Sequence, residues 1–90
     1  MVIEPIFKIT DELVSSFTLL VPQLTRNHPP PTREALEALI SSNTSTLFAA
    51  RYPDENSSIV GILTLIRYRV PTGIRARIED VVVDESAEDA

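Results

Sequence analysis

The chain has 90 residues, room for one small domain, and its 43% hydrophobic and 23% charged positions exclude a disordered tail or low-complexity linker. A formal net charge of −5 argues against a duplex nucleic-acid binder, which gains most of its affinity by neutralising phosphates. The absence of cysteine excludes disulfide scaffolds, thiolate zinc sites and thiol nucleophiles together. Its apolar runs are far shorter than the ~20 residues of a membrane span. The opening, Met1 to Pro5, lacks the basic start and apolar run of a secretory signal. The expectation is a soluble, cytoplasmic protein with neither membrane nor nucleic acid as partner.

In chain order, Val2 to Ile9 is rich in β-branched and apolar residues and reads as a strand. Pro5 has no N–H to give a ladder, so that strand belongs at an edge or is short. Thr10 offers a hydroxyl N-cap, followed by Asp11 and Glu12 where a helix dipole favours carboxylates. Leu13, Val14, Phe17, Leu20, Val21 and Leu24 then recur at helical spacing, with Pro22 expected to kink or shorten the final turn. Arg26 to Pro31 is a proline-stiffened connection, and Thr32 caps a second helix running from Arg33 to about Ser42. Three strands follow, Thr46 to Tyr52, Ile59 to Val70 and Ile74 to Val83, separated by the turn segments Pro53 to Ser58 and Pro71-Thr72-Gly73. The order β-α-α-β-β-β predicts an α+β domain over residues 1–90: an antiparallel sheet covered by two helices, with an acidic tail at 84–90.

The run from Ala76 to Ala87, containing Ile78-Glu79-Asp80-Val81-Val82-Val83-Asp84, is the most informative segment. Together with Ile59-Val60-Gly61-Ile62-Leu63 and the two preceding helices, it resembles the N-terminal half of the GCN5-related N-acetyltransferase family. The resemblance spans essentially the whole chain and implies transfer of acetyl from acetyl-CoA to an amine, on a small molecule or a peptide. It implies that main-chain atoms of Val81, Val82 and Val83 face the thioester and pantetheine arm. Glu79, or else Asp80, would take the proton that an ammonium must lose before attack. Arg26, Asn27 and His28, in the connection between the helices, would border the acceptor amine. The family's glycine-rich pyrophosphate loop does not follow the valine strand. Asp84-Glu85-Ser86-Ala87-Glu88-Asp89-Ala90 stands there instead, with four carboxylates and no cation. The resemblance therefore describes an incomplete acetyltransferase-like fold, with weak or no acetyl-CoA binding and no activity expected of these residues alone.

Simpler readings stand beside these. Side chains alternate along a strand, so Glu79 and Asp80 are expected on opposite faces, with Glu79 free to pair with an arginine and Asp80 to meet water or Thr64. A hairpin symmetric about Thr72 sets Arg69 opposite Arg75 and Arg67 opposite Arg77, four cations on one face. Like charges directly opposite are unfavourable, so a bulge, the neighbouring acids or an anionic ligand must relieve them. His28 is the single histidine and no metal-ligand spacing accompanies it. The last strand, 78–83, is expected at a sheet edge with three successive valines and no proline, a surface that invites another strand. A homodimer, or a complementary chain, is expected through it. The alternative to an enzyme is a non-catalytic α+β module associating through that same edge.

Overall fold

The computed structural model describes residues 1–88. Its elements are β1 (Val2–Pro5), α1 (Asp11–Leu24), α2 (Arg33–Ile40), β2 (Ser45–Arg51), β3 (Ile59–Val70), β4 (Gly73–Val83) and a one-turn α3 (Glu85–Glu88). The four strands form one antiparallel sheet in the order β1-β2-β3-β4. This is the α+β architecture expected from the sequence. β1, which carries Pro5, and the valine-rich β4 are the two edges. Part of the acidic segment 84–90 forms α3, and its residues 89 and 90 lie outside the described part.

Both main helices begin as their sequences dictate. The Thr10 hydroxyl accepts from the Leu13 N–H and the Thr32 hydroxyl from the Ala35 N–H, each at 3.1 Å. Each satisfies a donor that a helix start would leave orphaned. α1 runs two residues past Pro22, which faces solvent, and α2 ends at Ile40, two residues short of the expected Ser42.

The helices cover one face of the sheet. Leu13, Phe17, Leu20 and Val21 of α1 and Leu36 of α2 are buried with Leu47, Ala49, Ile62 and Val82. The same face carries Thr64, the only buried polar side chain among the described residues, aligned with Leu47 on one side and Glu79 on the other. The other face displays Ile3, Phe48, Leu63, Leu65, Ile78 and Val81 with no helix over it among the described residues; Ile3, Ile78 and Val81 are each more than half exposed.

Gly61 lies where strands approach closely. A Cβ there would come within 3.2 Å of the Val82 carbonyl oxygen, and a bulge interrupts the β2–β3 ladder beside its partner, between Ala50 and Arg51.

The β3–β4 hairpin corrects two expectations. Val70 pairs with Gly73 across a two-residue turn, and Gly73 has φ +138°, a conformation open to glycine. The register is therefore one residue away from symmetry about Thr72. Arg75 sits opposite Tyr68 and Arg77 opposite Ile66, while Arg67 faces Ala76 and Arg69 faces Ile74. The four arginines divide between the two faces, and no cation stands directly across from another.

The second correction is a bulge in β4. Ile62 pairs with Val82 but Thr64 with Glu79, so β4 holds one extra residue there. Asp80 takes it up with φ +52°, the only described non-glycine residue with positive φ. Strict alternation fails at this point, and Asp80 joins Glu79 on the helix-facing side instead of opposing it.

Candidate functional site

Two hollows meet at this bulge. The larger, about 620 Å³, opens between α1, the Arg26–Pro31 connection, α2 and the sheet. Phe17, Leu36 and Leu39 make its apolar floor, Thr64 and Asp80 supply its polar sheet side, and His28 stands at the connection. The second, about 470 Å³, runs beside Val81, Val82 and Val83, between them and the Gln23-Leu24 end of α1, with Glu85 also lining it. Leu24 lines both. Apolar walls with few convergent polar groups are the usual make-up of a small-molecule site.

Of the residues that sequence reasoning singled out, the fold brings His28, Asp80 and the three valines to this junction. Glu79 is engaged elsewhere, accepting from the Arg77 guanidinium at 2.8 Å on the hairpin surface. Arg26 and Asn27 are exposed on the connection and do not line the cavity. Thr64 and Thr25 do line it. The sequence offered Thr64 only as an alternative neighbour of Asp80, and its place in the cavity beside Asp80 follows from the register.

The end of the valine groove is acidic and ordered by hydrogen bonds. The Asp84 N–H donates to the Val60 carbonyl at 2.7 Å, and the Glu85 N–H donates to Gln23 Oε1 at 2.8 Å. The Asp84 carboxylate accepts from the Ser86 N–H at 3.1 Å and from Gln23 Nε2 at 3.4 Å. The Ser86 backbone hydrogen bond chiefly holds the Asp84 carboxyl below its ordinary value, so it stays anionic near neutrality.

This donor set fits one part of acetyl-CoA and not another. A pantetheine arm, which alternates amides with methylenes, needs a groove of mixed polar and apolar lining beside a strand edge, and Val81–Val83 with Gln23, Leu24 and Glu85 border one. A pyrophosphate needs cations or converging N–H groups. Asp84 and Glu85 present carboxylates instead, and no cation lines the groove.

Among the described residues no group of three or more His, Asp or Glu side chains is placed to hold a metal ion, and no helix is long and apolar enough to cross a membrane. No family model, curated protein or solved structure matches this chain.

Proposed function

We propose that this domain supplies the acceptor half of an N-acyltransferase site. An amine with an apolar body occupies the cavity under the Arg26–Pro31 connection, and an acyl thioester lies along Val81–Val83. Asp80 stands at their junction to receive the proton of the incoming ammonium. The observation that carries this reading is the bulge, which turns one carboxylate into the helix-side cavity at the point where that cavity meets the strand-edge groove. Acetyl-CoA would contribute the thioester carbonyl that the amine nitrogen attacks, with its thiol leaving. The chain's own part is to bind the amine against Phe17 and Leu36, to accept its proton on Asp80, and to exclude water with the proline-rich connection. The Thr64 hydroxyl and His28 are positioned to orient the amine. Asp80, and not Glu79, is the favoured base, because Glu79 is tied to Arg77. A cytoplasmic location is part of the same proposal.

The carboxylates at the end of the groove favour a second reading, a non-catalytic module that has no use for coenzyme A and associates through β4. Titration with acetyl-CoA and with S-acetylpantetheine, which lacks the pyrophosphate, separates the two. For an acyl-transfer site both ligands raise the melting temperature, and S-acetylpantetheine does so at least as well as acetyl-CoA. Acetylation of apolar primary amines, followed by mass spectrometry, then falls by about 10²–10⁴ in Asp80→Asn, the range for loss of a general base, with the melting temperature unchanged. If neither thioester shifts the melting curve at millimolar concentration, the module reading stands.

A further inference from the structure

The β3–β4 hairpin extends beyond the rest of the sheet as a two-stranded arm. β2 ends its pairing where Ser45 meets Ile66, and residues 67–77 continue with no third strand beside them among the described residues. A 12-residue strand spans roughly 40 Å, and β3 accounts for most of the 42 Å long axis of the molecule, against 26 and 25 Å in the other directions. This arm holds four of the eight cations, Arg67, Arg69, Arg75 and Arg77, and no carboxylate, in a chain whose net charge is −5. Arg77 holds Glu79, while the Arg75 guanidinium donates to the Thr72 hydroxyl at 3.1 Å.

The outer edge of the arm has a readable pattern. The Arg67 N–H donates to the Thr44 carbonyl at 2.8 Å, away from β4. In an antiparallel ladder, that places Arg67 and its partner Ala76 in a non-hydrogen-bonded pair, so the Ala76 N–H and C=O point off the open edge. The period of two gives the same orientation to Ile74 and Ile78. Their side chains lie on one face, and Arg75 and Arg77 lie on the other. A strand added to this edge therefore meets unpaired main-chain groups, an apolar stripe on one face and a cationic stripe on the other.

We infer that the edge from Gly73 to Glu79 is a docking site for an extended acidic peptide in which carboxylates alternate with apolar residues. Such a segment sets its carboxylates beside Arg75 and Arg77 and its apolar residues beside Ile74, Ala76 and Ile78, while its backbone completes the ladder. Charge decides the occupant. A nucleic-acid strand long enough to gain from the arm would also approach the thirteen carboxylates of the chain, whereas a short peptide touches only the arm. A second copy is a poorer fit, because two β4 strands pairing about Ile78 run into the Asp80 bulge, where face alternation is lost. The site lies along β4 from the Val81–Val83 groove and does not depend on acyl transfer.

The test is fluorescence anisotropy of a short capped peptide of alternating valine and glutamate, with amide exchange followed by NMR on the whole chain. The peptide should bind and slow exchange at Ile74, Ala76 and Ile78. A peptide of the same composition in two blocks, and the Arg75→Glu variant, should each bind about tenfold more weakly or worse, as misplaced or like charges do. Ala76→Pro keeps all four arginines and removes one outward N–H at an edge position, where proline is tolerated; it should abolish binding while the circular dichroism spectrum is kept. The inference is overturned if Ala76→Pro binds like the parent, if the block peptide binds equally, or if a single-stranded oligonucleotide binds more tightly than the peptide. A dimer in sedimentation that the peptide fails to dissociate overturns it as well.

Discussion

Asp80 holds a left-handed backbone conformation, φ +52°, inside a strand. An L-residue in that region loses roughly 1–2 kcal/mol to crowding between Cβ and the neighbouring carbonyl, less for Asp and Asn, whose short polar side chains suit it. Glycine carries no such penalty. Asp80→Gly is therefore expected to raise stability by up to about 1 kcal/mol in urea denaturation, and Asp80→Asn to leave it within about 0.5 kcal/mol. Asp80→Val, β-branched and unable to adopt this conformation comfortably, should lower it by about 1–2 kcal/mol. A gain on replacing Asp80 by glycine would mark Asp80 as a residue kept for what it does rather than for the fold. The three midpoints falling together would show that the bulge stores no strain. The bulge itself is not legible in Ile78 to Val83, because alternation is a local rule and carries straight through a segment with no glycine to interrupt it. The caps at Thr10 and Thr32 were legible, since a hydroxyl one step before a run of helical periodicity has a single local use.

Arg51, at the end of β2, joins three elements. Its side chain, only 18% exposed, donates Nε–H to Glu4 of β1 at 3.0 Å, two bonds to the Glu12 carboxylate of α1 at 2.7 and 3.0 Å, and one to the Ser57 carbonyl at 2.8 Å. The hydrogen bond to Arg51 is the main reason the Glu12 carboxyl sits below its ordinary value; desolvation opposes it and direct charge attraction assists. Arg51 in turn is held still more firmly protonated, chiefly by Glu12 and then Glu4. A carboxyl depressed in the folded state adds stability at pH values above its unfolded pKa, and that contribution is lost as pH falls through the folded one. Glu12 is about half exposed, so solvent screening keeps the contribution within about 1 kcal/mol. Glu12→Gln should therefore unfold at lower urea than the parent at pH 7. The gap should begin to narrow as pH drops below roughly 4, where the ordinary glutamate protonates, and close once the lowered folded value is passed. A gap that does not narrow at all as pH falls through the carboxylate range would assign the loss to packing rather than charge.

The two main helices and the last three strands followed from periodicity, and β3 ran over its full expected length, whereas β1 stops at Pro5 rather than Ile9 and the one-turn α3 was not expected. The hairpin register did not follow, because Pro71-Thr72-Gly73 is compatible with a two- or a three-residue turn and a shift of one residue exchanges every side chain between faces. That single step moved Arg67 and Arg69 away from Arg75 and Arg77, and it explains how one arm tolerates four cations.

Across the whole molecule, the core is built on one side of the sheet only. Leu13, Leu20, Leu36 and Leu47 are almost wholly buried between helices and strands, while Ile3, Phe48, Leu63, Ile78 and Val81 occupy the face that no described helix covers. A chain of this size buries roughly 60–70% of the surface its unfolded form exposes, so total stability is small. Two substitutions of similar size should then behave in opposite ways. Leu20→Ala removes a side chain with no exposed surface from the contact of α1 with the sheet, and the cavity left behind costs about 2–5 kcal/mol, a large share of the total. Ile3→Thr alters a residue 58% exposed on the open face of β1 and should change stability by less than about 0.5 kcal/mol. It should also reduce binding of a hydrophobic dye and concentration-dependent association, because the patch it interrupts is what draws other molecules to that face. Hydrogen exchange should report the same asymmetry without mutation. Amides of residues 47–49 and 62–64, under the helices, should exchange near the rate of global unfolding, and those of residues 67–77, in the uncovered arm, many times faster. Equal protection at the two ends of β3 would mean that the arm is held by contacts beyond its own hairpin.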